Sequence, residues 1–583
     1  MYLSLRLHVK IGPLKASFLV QLIMEYLLSN CDFKNSTPYK SLFYNGNFKI
    51  LGDKLELLEH NFVFDKTKFD SGLSFPGPFN HVSYSATEQT ISIRNDELGM
   101  LQLYFAVIQS KVFVSNNIWL ILEQLDSNEI SLNESILAAY LQYARIPSET
   151  ETFFKNIHVL PVGSSCTIDL SHFTYTIDKT WDLTHSYQSP PSLDEAVDQL
   201  YDDLSSLFGF IKQKDPNRTV GFGNSGGLDS RLVPHFCEIH NLQCKGFITG
   251  KTHPRFGLTS TSHSSAHKVA ALYKLDHTDL SYRPTDYNSR LLLDVKNNLL
   301  SNCQVFKNPY DQLPEFDTLI CGGNGFIVSN DSNKWKAFDQ LTTVDEKTNY
   351  LQAYVGKFGF AQFSQKLAKK LGNTSQPNAW YFDLFKGYKD EIATSFRSFV
   401  QENNQKDNLS LIRSFHQSIF NRNSPAGGFE SINRTKDFSY LYYPFTLRHS
   451  LSWPLEYYLD RKVLQQVMQR KIPSLTQIPD QAGQSLFSTK KSKLAELAAK
   501  IRGNGLDYRN WYNSDRNLHA YMHEVFSRKN PMFDDFIQVE LDQNDILRLH
   551  PFICLDFLKA KKALDIIYFR EFEQLKKAEF TIA

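Results

Sequence analysis

Residues 219–231 read TVGFGNSGGLDSR, and the fold turns on how that stretch is read. The first five residues are a short apolar run of the kind that forms a buried strand. The following SRLVPHFCEIHN has helical spacing. Between them lies a turn of glycines, serines and one aspartate. In an open parallel sheet, ligands bind at the carboxyl ends of the strands, where this turn would sit. Gly226 and Gly227 let backbone N–H groups approach an anion, and the helix adds its positive end. Ser225 and Ser230 offer hydroxyls to phosphate oxygens. Asp229 would repel a phosphate, but makes sense if it holds a magnesium ion that bridges to pyrophosphate. The plainer alternative is a strand–helix turn with glycines for geometry and Asp229 or Ser230 as helix cap.

Strands and helices alternate downstream of this turn. CKGFITG, DTLICGG and the intervening helix SSAHKVAALYKL predict a parallel sheet with helical crossovers. Upstream, SLDEAVDQLYDDLSSLFGFIKQ is a helix opened by a capping box of Ser192 and Glu195. SYQSPPS, at 186–192, reads as a linker. The first 185 residues carry short β-like runs, among them YLSLRLHVKI, FNHVSYSA, QTISIRN, LQLYFAVIQ, KVFVSN and SCTIDL. One helix in this half, LNESILAAYLQYA, has Asn133 as its cap. The chain beyond residue 335 is mostly helical, with helices expected at 363–371, 381–401, 457–470 and 491–501. Two domains follow, 1–185 and 190–583.

The bulk numbers are ordinary. The chain has 583 residues, 42% hydrophobic and 21% charged, with a net charge of +1. A chain of this length exceeds a single core, and the charge does not point to a nucleic-acid or membrane partner. Seven scattered cysteines without a CxxC pair read as reduced thiols in a reducing, cytoplasmic setting. ASFLVQLIMEYLL is short and carries Gln21 and Glu25, so it reads as an amphipathic helix and not a membrane span.

The string SGGLDS resembles the pyrophosphate loop of the ATP pyrophosphatases, and further stretches are similar to the asparagine synthetase-like family. AHKVAALYKLDH matches a family segment through Ala266, Val269, Ala270 and His277. TLICGGNGF resembles the family's second glycine loop, with Gly323 and Gly325 as its glycine pair. YYPF at 442–445 resembles a Pro-Phe segment, and LQQVMQRKIPSLTQIPDQAGQ a C-terminal one. In the first half, IRNDELGMLQLYFAVIQSKVFVSNNIWLIL is similar to the glutaminase domain, and ILAAYLQYARIPSETETFFKNIHVLPVGSSCTID to the junction after it. The resemblance implies an α/β fold in two parts. Residues 1–185 would be an αββα sandwich like that of N-terminal-nucleophile hydrolases. Residues 190–583 would be a Rossmann-like adenine-nucleotide-binding synthetase domain with a helical C-terminal part.

It also implies ATP and Mg²⁺ as cofactors. Ser225, Gly226, Gly227, Leu228, Asp229 and Ser230, with Gly323 and Gly325, would surround the nucleotide. Asp229 and Asp331 would hold the metal, and Asp229 and Lys490 would serve catalysis. The expected function is an ATP-dependent ligase that activates a small-molecule, glycan or peptide carboxylate as an acyl-adenylate, releases pyrophosphate, and lets an amine or ammonia displace AMP. The alternative is a degenerate homologue kept as a binding or assembly partner. The oligomeric state is open.

Three departures from the family pattern matter. Position 2 is Tyr2 where the glutaminase has a nucleophilic cysteine, and a phenol cannot replace that thiolate, so glutamine hydrolysis is not expected. Phe326, Ile327 and Val328 follow Gly325 where an acid belongs, leaving Asp331 as the nearest carboxylate. Arg231 stands where a small residue often follows the loop, as a phosphate ligand or a packing residue. Lys251 and Arg255 would face the ATP crevice. Lys490, Lys491 and Lys493 lie near the expected reaction centre or on a solvated helix start. His253, His263 and His267 are read as exposed loop histidines, since no cysteine or matching spacing supports zinc.

Overall fold

A computed structural model describes residues 26–577, except 32–36, 40–41, 46–47, 52, 61–63, 71–76, 185–189, 250–260, 281–285, 301–302, 304–312, 323–326, 329–331, 357–386, 405, 422–436, 480–514 and 538–550. Within these bounds the chain is mixed α/β, built on three sheets.

Among the described residues, twelve strands precede residue 180: β1 (Leu27–Ser29), β2 (Thr37–Tyr39), β3 (Leu42–Asn45), β4 (Lys49–Leu51), β5 (Lys54–His60), β6 (Phe79–Ser85), β7 (Thr90–Asn95), β8 (Tyr104–Ile108), β9 (Lys111–Ser115), β10 (Ile157–Val159), β11 (Ser164–Asp169) and β12 (Thr174–Lys179). They make two antiparallel sheets, ordered β10-β8-β9-β1-β3-β2 and β12-β11-β7-β6-β5-β4. The period of two decides how these sheets pack. Along β8, Phe105 and Val107 face a core shared with Val82 and Ile93 of the second sheet. Tyr104, Ala106 and Ile108 face the other way, toward α1 (Ile118–Gln124) and α2 (Glu134–Tyr143). One helix layer therefore covers two stacked sheets.

The third sheet is parallel. Its strands β13 (Thr219–Gly223), β14 (Gln243–Thr249), β15 (Asp276–Leu280), β16 (Thr318–Cys321) and β17 (Asp437–Tyr440) run in the order β15-β14-β13-β16-β17. From β13 the chain winds one way through β14 to β15, then returns to the other side as β16. The switch point thus falls between β13 and β16. Helix α3 (Leu193–Lys214) enters this half through the expected capping box, with the Ser192 hydroxyl accepting from the Glu195 amide at 3.2 Å. Its buried residues Val197, Leu200, Leu204, Leu207 and Ile211 recur at helical spacing and face one side.

The two halves share one apolar core, which runs from Ile121 and Tyr140 through Leu204 and Phe236 to Phe557. Polar links cross the same boundary. The Trp119 indole donates to the Val295 carbonyl at 2.9 Å, and Arg570 donates to the Leu125 carbonyl at the end of α1 at 2.8 Å. A buried charge pair, Asp294–Lys559 at 3.2 Å, joins the helices Tyr287–Asn298 and Pro551–Tyr568. Lys559→Met is expected to lower stability by about 3 kcal/mol in denaturant unfolding, because it removes the buried cation that faces the buried Asp294 carboxylate.

Three sequence expectations are corrected. The end of ASFLVQLIMEYLL is strand and not helix, because Leu27 and Leu28 pair with β3 and β9. Asn133 precedes α2 as expected, but its side chain caps nothing and instead donates to Glu151 at 3.2 Å. The helix expected over 457–470 is two, Leu455–Tyr458 and Lys462–Lys471, broken where Asp460 and Arg461 take left-handed φ of 55° and 60°. The run YLSLRLHVKI and the helices at 363–371 and 491–501 lie outside the described residues, as do the start of the 381–401 helix and most of the linker.

Candidate functional site

The 224–231 turn sits at the carboxyl end of β13, beside the switch point. Asn224 anchors it on one side, its amide N–H donating to the Phe247 carbonyl at 2.7 Å and its side chain to the Ala266 carbonyl at 2.8 Å. Gly226 has φ of +67°, a left-handed conformation that a side chain would strain. Gly227 is the N-cap of α4 (Leu228–Ile239), and no side chain caps the first turn. The cap expected of Asp229 or Ser230 is therefore not made. The first amide N–H groups of a helix have no acceptor within the helix, and Gly227 brings no side chain to supply one. The Ser225 hydroxyl accepts from the Gly227 amide at 3.2 Å and lies 3.4 Å from the Ser230 hydroxyl. Ser225 is exposed; Asp229 and Ser230 are half-buried.

Arg231 is fully buried, and its role is now clear. A guanidinium has five N–H donors. Here two go to the Gly226 carbonyl at 3.1 and 2.8 Å, one each to Leu475 and Ile478 at 3.2 and 2.6 Å, and one to Pro479. All five serve carbonyls, so Arg231 is a strap that holds the loop to a segment 248 residues further on, and not a phosphate ligand.

Asp229 meets two neighbours that sequence spacing does not reveal. The Tyr442 hydroxyl donates to its Oδ1 at 2.5 Å. Burial, with the Asp229 charge beside it, pushes the Tyr442 phenol well above its ordinary value, so it stays a donor. On the other side, Gly322 at the end of β16 lies so close that an added Cβ would stand 2.9 Å from the Asp229 Cβ. The next residue of the same YYPF segment reaches the first half of the chain, where the Tyr443 hydroxyl donates to Glu97 at 2.6 Å. Gln417 donates to the Glu97 carbonyl as well. One short segment therefore touches both the loop aspartate and the DELG turn at 96–99.

That turn holds a fully buried carboxyl. Burial, and then the Glu97 charge, push Asp96 up to about 7, although the Leu98 amide donates to it at 2.9 Å. The folded chain keeps a proton there that an unfolded carboxyl, near 4, gives up. This contribution to stability is complete below about pH 4 and is lost as the pH rises through about 7. Asp96→Asn is expected to abolish it. Between pH 4 and 7 the variant should gain on the order of 3 kcal/mol relative to the native chain in parallel chemical unfolding.

Of the expected site residues, Ser225, Gly226, Gly227, Leu228, Asp229 and Ser230 come together in one loop. Gly323, Gly325, Asp331, Lys490, Lys491, Lys493, Lys251, Arg255, His253 and Tyr2 lie outside the described residues. Ile327 and Val328 are buried and belong to the core. His263 and His267 are not loop residues. Both lie on the helix α5 (Thr261–Leu272), one turn apart, and meet Asp279 of β15. Their i, i+4 spacing beside AHKVAAL was the available signal. Tyr442 and Tyr443 carried no signal beyond sitting in YYPF. No protein-family model matches the chain, and no curated protein matches it.

Proposed function

We propose that the chain is an ATP-dependent, amide-forming ligase with ATP bound over the 225–230 loop. The observation that carries this reading is the loop's placement: a glycine at φ +67° and an uncapped helix start, at the switch point of a parallel sheet. In the proposed reaction a carboxylate oxygen of the substrate attacks the α-phosphorus of ATP. The bond to the β-phosphate oxygen breaks and pyrophosphate leaves; an amine or ammonia then displaces AMP. Negative charge gathers on the departing pyrophosphate, where preorganised N–H groups and the Ser225 and Ser230 hydroxyls stabilise it. The Arg231 strap keeps those groups in place before the substrate arrives. The αββα and Rossmann-like architecture expected from the family resemblance belongs to this same proposal, as do a small-molecule, glycan or peptide carboxylate as substrate and a cytoplasmic setting.

Magnesium usually takes one or two protein carboxylates plus phosphate oxygens and water. Asp229 fits as one such ligand through Oδ2, since its Oδ1 accepts from Tyr442. When bound, the ion would supply positive charge to the phosphate oxygens. The same Tyr442 contact favours a second reading, in which a hydroxyl occupies part of the metal's place and the chain is a degenerate homologue acting as a binding or assembly partner.

Pyrophosphate release from ATP and Mg²⁺ with a panel of carboxylates separates the two. The ligase reading expects release with at least one acid and amine. ATP binding without release from any member of the panel would favour the partner reading. Gly322→Ala gives a graded check. Its new methyl would push Asp229 aside, and release is expected to fall at least about tenfold, since small misplacements of a reacting group are costly.

A further inference from the structure

We propose that His263, His267 and Asp279 form a binding site for a divalent transition metal of the zinc class, separate from the Asp229 loop. Helix α5 places the two imidazoles one turn apart on one face, and β15 brings Asp279 opposite them. The His263 and His267 Nε2 atoms are 3.2 Å apart, and each lies 3.1 Å from Asp279 Oδ2. These three form a near-equilateral triangle of ligand atoms. Donors around a tetrahedral zinc with bonds of about 2.0–2.1 Å stand roughly 3.3 Å apart, so the triangle need open by only a few tenths of an ångström.

Hydrogen bonding leaves either two donors side by side or a misdirected lone pair. If both Nε2 atoms carry hydrogens, two N–H groups 3.2 Å apart share one carboxylate, whose Oδ1 also lies 3.1 Å from His267 Nε2. If only one does, the bare nitrogen lone pair faces the carboxylate at 3.1 Å. A cation in the middle accepts all three lone pairs at once. Two imidazole nitrogens and one oxygen suit zinc, cobalt or nickel; magnesium prefers oxygens throughout.

His277 supplies a second, independent observation. It precedes Asp279 by two residues on β15 and therefore shares its face. Its side chain is 5% exposed, and neither ring nitrogen has a hydrogen-bond partner among the described residues. Its ring lies 5.0 Å from that of His267, and its Nδ1 is 3.7 Å from Asp279 Oδ1. A buried imidazole beside the second oxygen of that carboxylate, which also lies 3.1 Å from His267 Nε2, is the neighbour that would orient it when the metal draws the carboxylate into place. His263 is 13% exposed, whereas His267 and Asp279 are 44% and 46% exposed, so an ion has a way in from solvent. Three protein ligands leave a fourth position for water. The site would tie the start of α5 to the edge strand of the parallel sheet, two strands from the loop, and it does not depend on the ligase reading.

The test uses the full chain, stripped of metal and titrated with cobalt(II), then with zinc(II). The expected result is one cobalt per chain with the intense visible absorption of tetrahedral coordination, displaced by one equivalent of zinc. His267→Gln and Asp279→Asn, both on exposed side chains, are expected to weaken zinc binding at least about tenfold. His172→Gln, in an exposed histidine–aspartate pair elsewhere, should change nothing. Zinc should also raise the melting temperature of the native chain more than that of either site variant. A native chain that gives no tetrahedral cobalt spectrum would overturn the proposal without recourse to any variant. Equal zinc affinity in the native chain and both site variants would overturn it too, leaving the triangle as a hydrogen-bonded cluster.

Discussion

Asp229→Asn is expected to lower pyrophosphate release by at least about 100-fold, the scale seen when a charged or donor group is removed from a developing oxyanion. The substitution keeps the volume of the side chain. Its amide oxygen still accepts the Tyr442 hydroxyl, and the residue is only half-buried, so the fold should tolerate it. What is lost is the negative charge that would hold a metal against the phosphates. Stability should shift by less than about 1 kcal/mol. Rate and thermal unfolding measured on the same preparation separate the two effects. A variant that releases pyrophosphate as fast as the native chain would sink the ligase mechanism proposed for this loop.

Arg231→Met should act in the opposite order, on the fold first. The side chain is wholly buried and all five of its N–H groups are engaged. Methionine fills much of the space but donates nothing, so the Gly226 and Ile478 carbonyls lose the guanidinium, whereas the Leu475 carbonyl keeps the Gln477 and Ile478 amides. At about 1–3 kcal/mol for each buried group left unsatisfied, the expected loss is on the order of 4 kcal/mol. Arg231→Lys should recover only part of it, because an ammonium cannot reproduce the planar fork. Urea unfolding of the two variants checks the size and the rank. If Arg231→Met unfolds at the native midpoint, the strap described above does not hold the loop.

Much of the architecture was legible locally. The two-residue alternation of QTISIRN and SCTIDL marked strands β7 and β11, and the Ser192–Glu195 box marked the start of α3. The apolar run before SGGLDS and the helical spacing after it put the loop at the end of a strand. Where expectation failed, a distant partner had decided the outcome. Tyr26–Leu28 sits in a stretch with helical spacing, yet β3 and β9 draw Leu27 and Leu28 into a sheet. Asn133 is a good cap by type, but Glu151 takes its amide. Asp460 and Arg461 break a helix that the apolar spacing carried straight through.

The site divides the same way. Glycines, serines and aspartate at fixed offsets on a strand–helix turn are a local fact, because backbone freedom and helix-end polarity act within a few residues. That Arg231 would strap the loop and leave phosphates alone depended on carbonyls up to 248 residues away. That Asp229 would be held by a phenol depended on Tyr442, 213 residues on. His263 and His267 became a triangle with Asp279 only when the crossover from β14 through α5 brought β15 alongside. Short-range propensity settled the kind of loop this protein builds; long-range packing, which brings together groups that share no pattern along the chain, decided what each of its side chains touches.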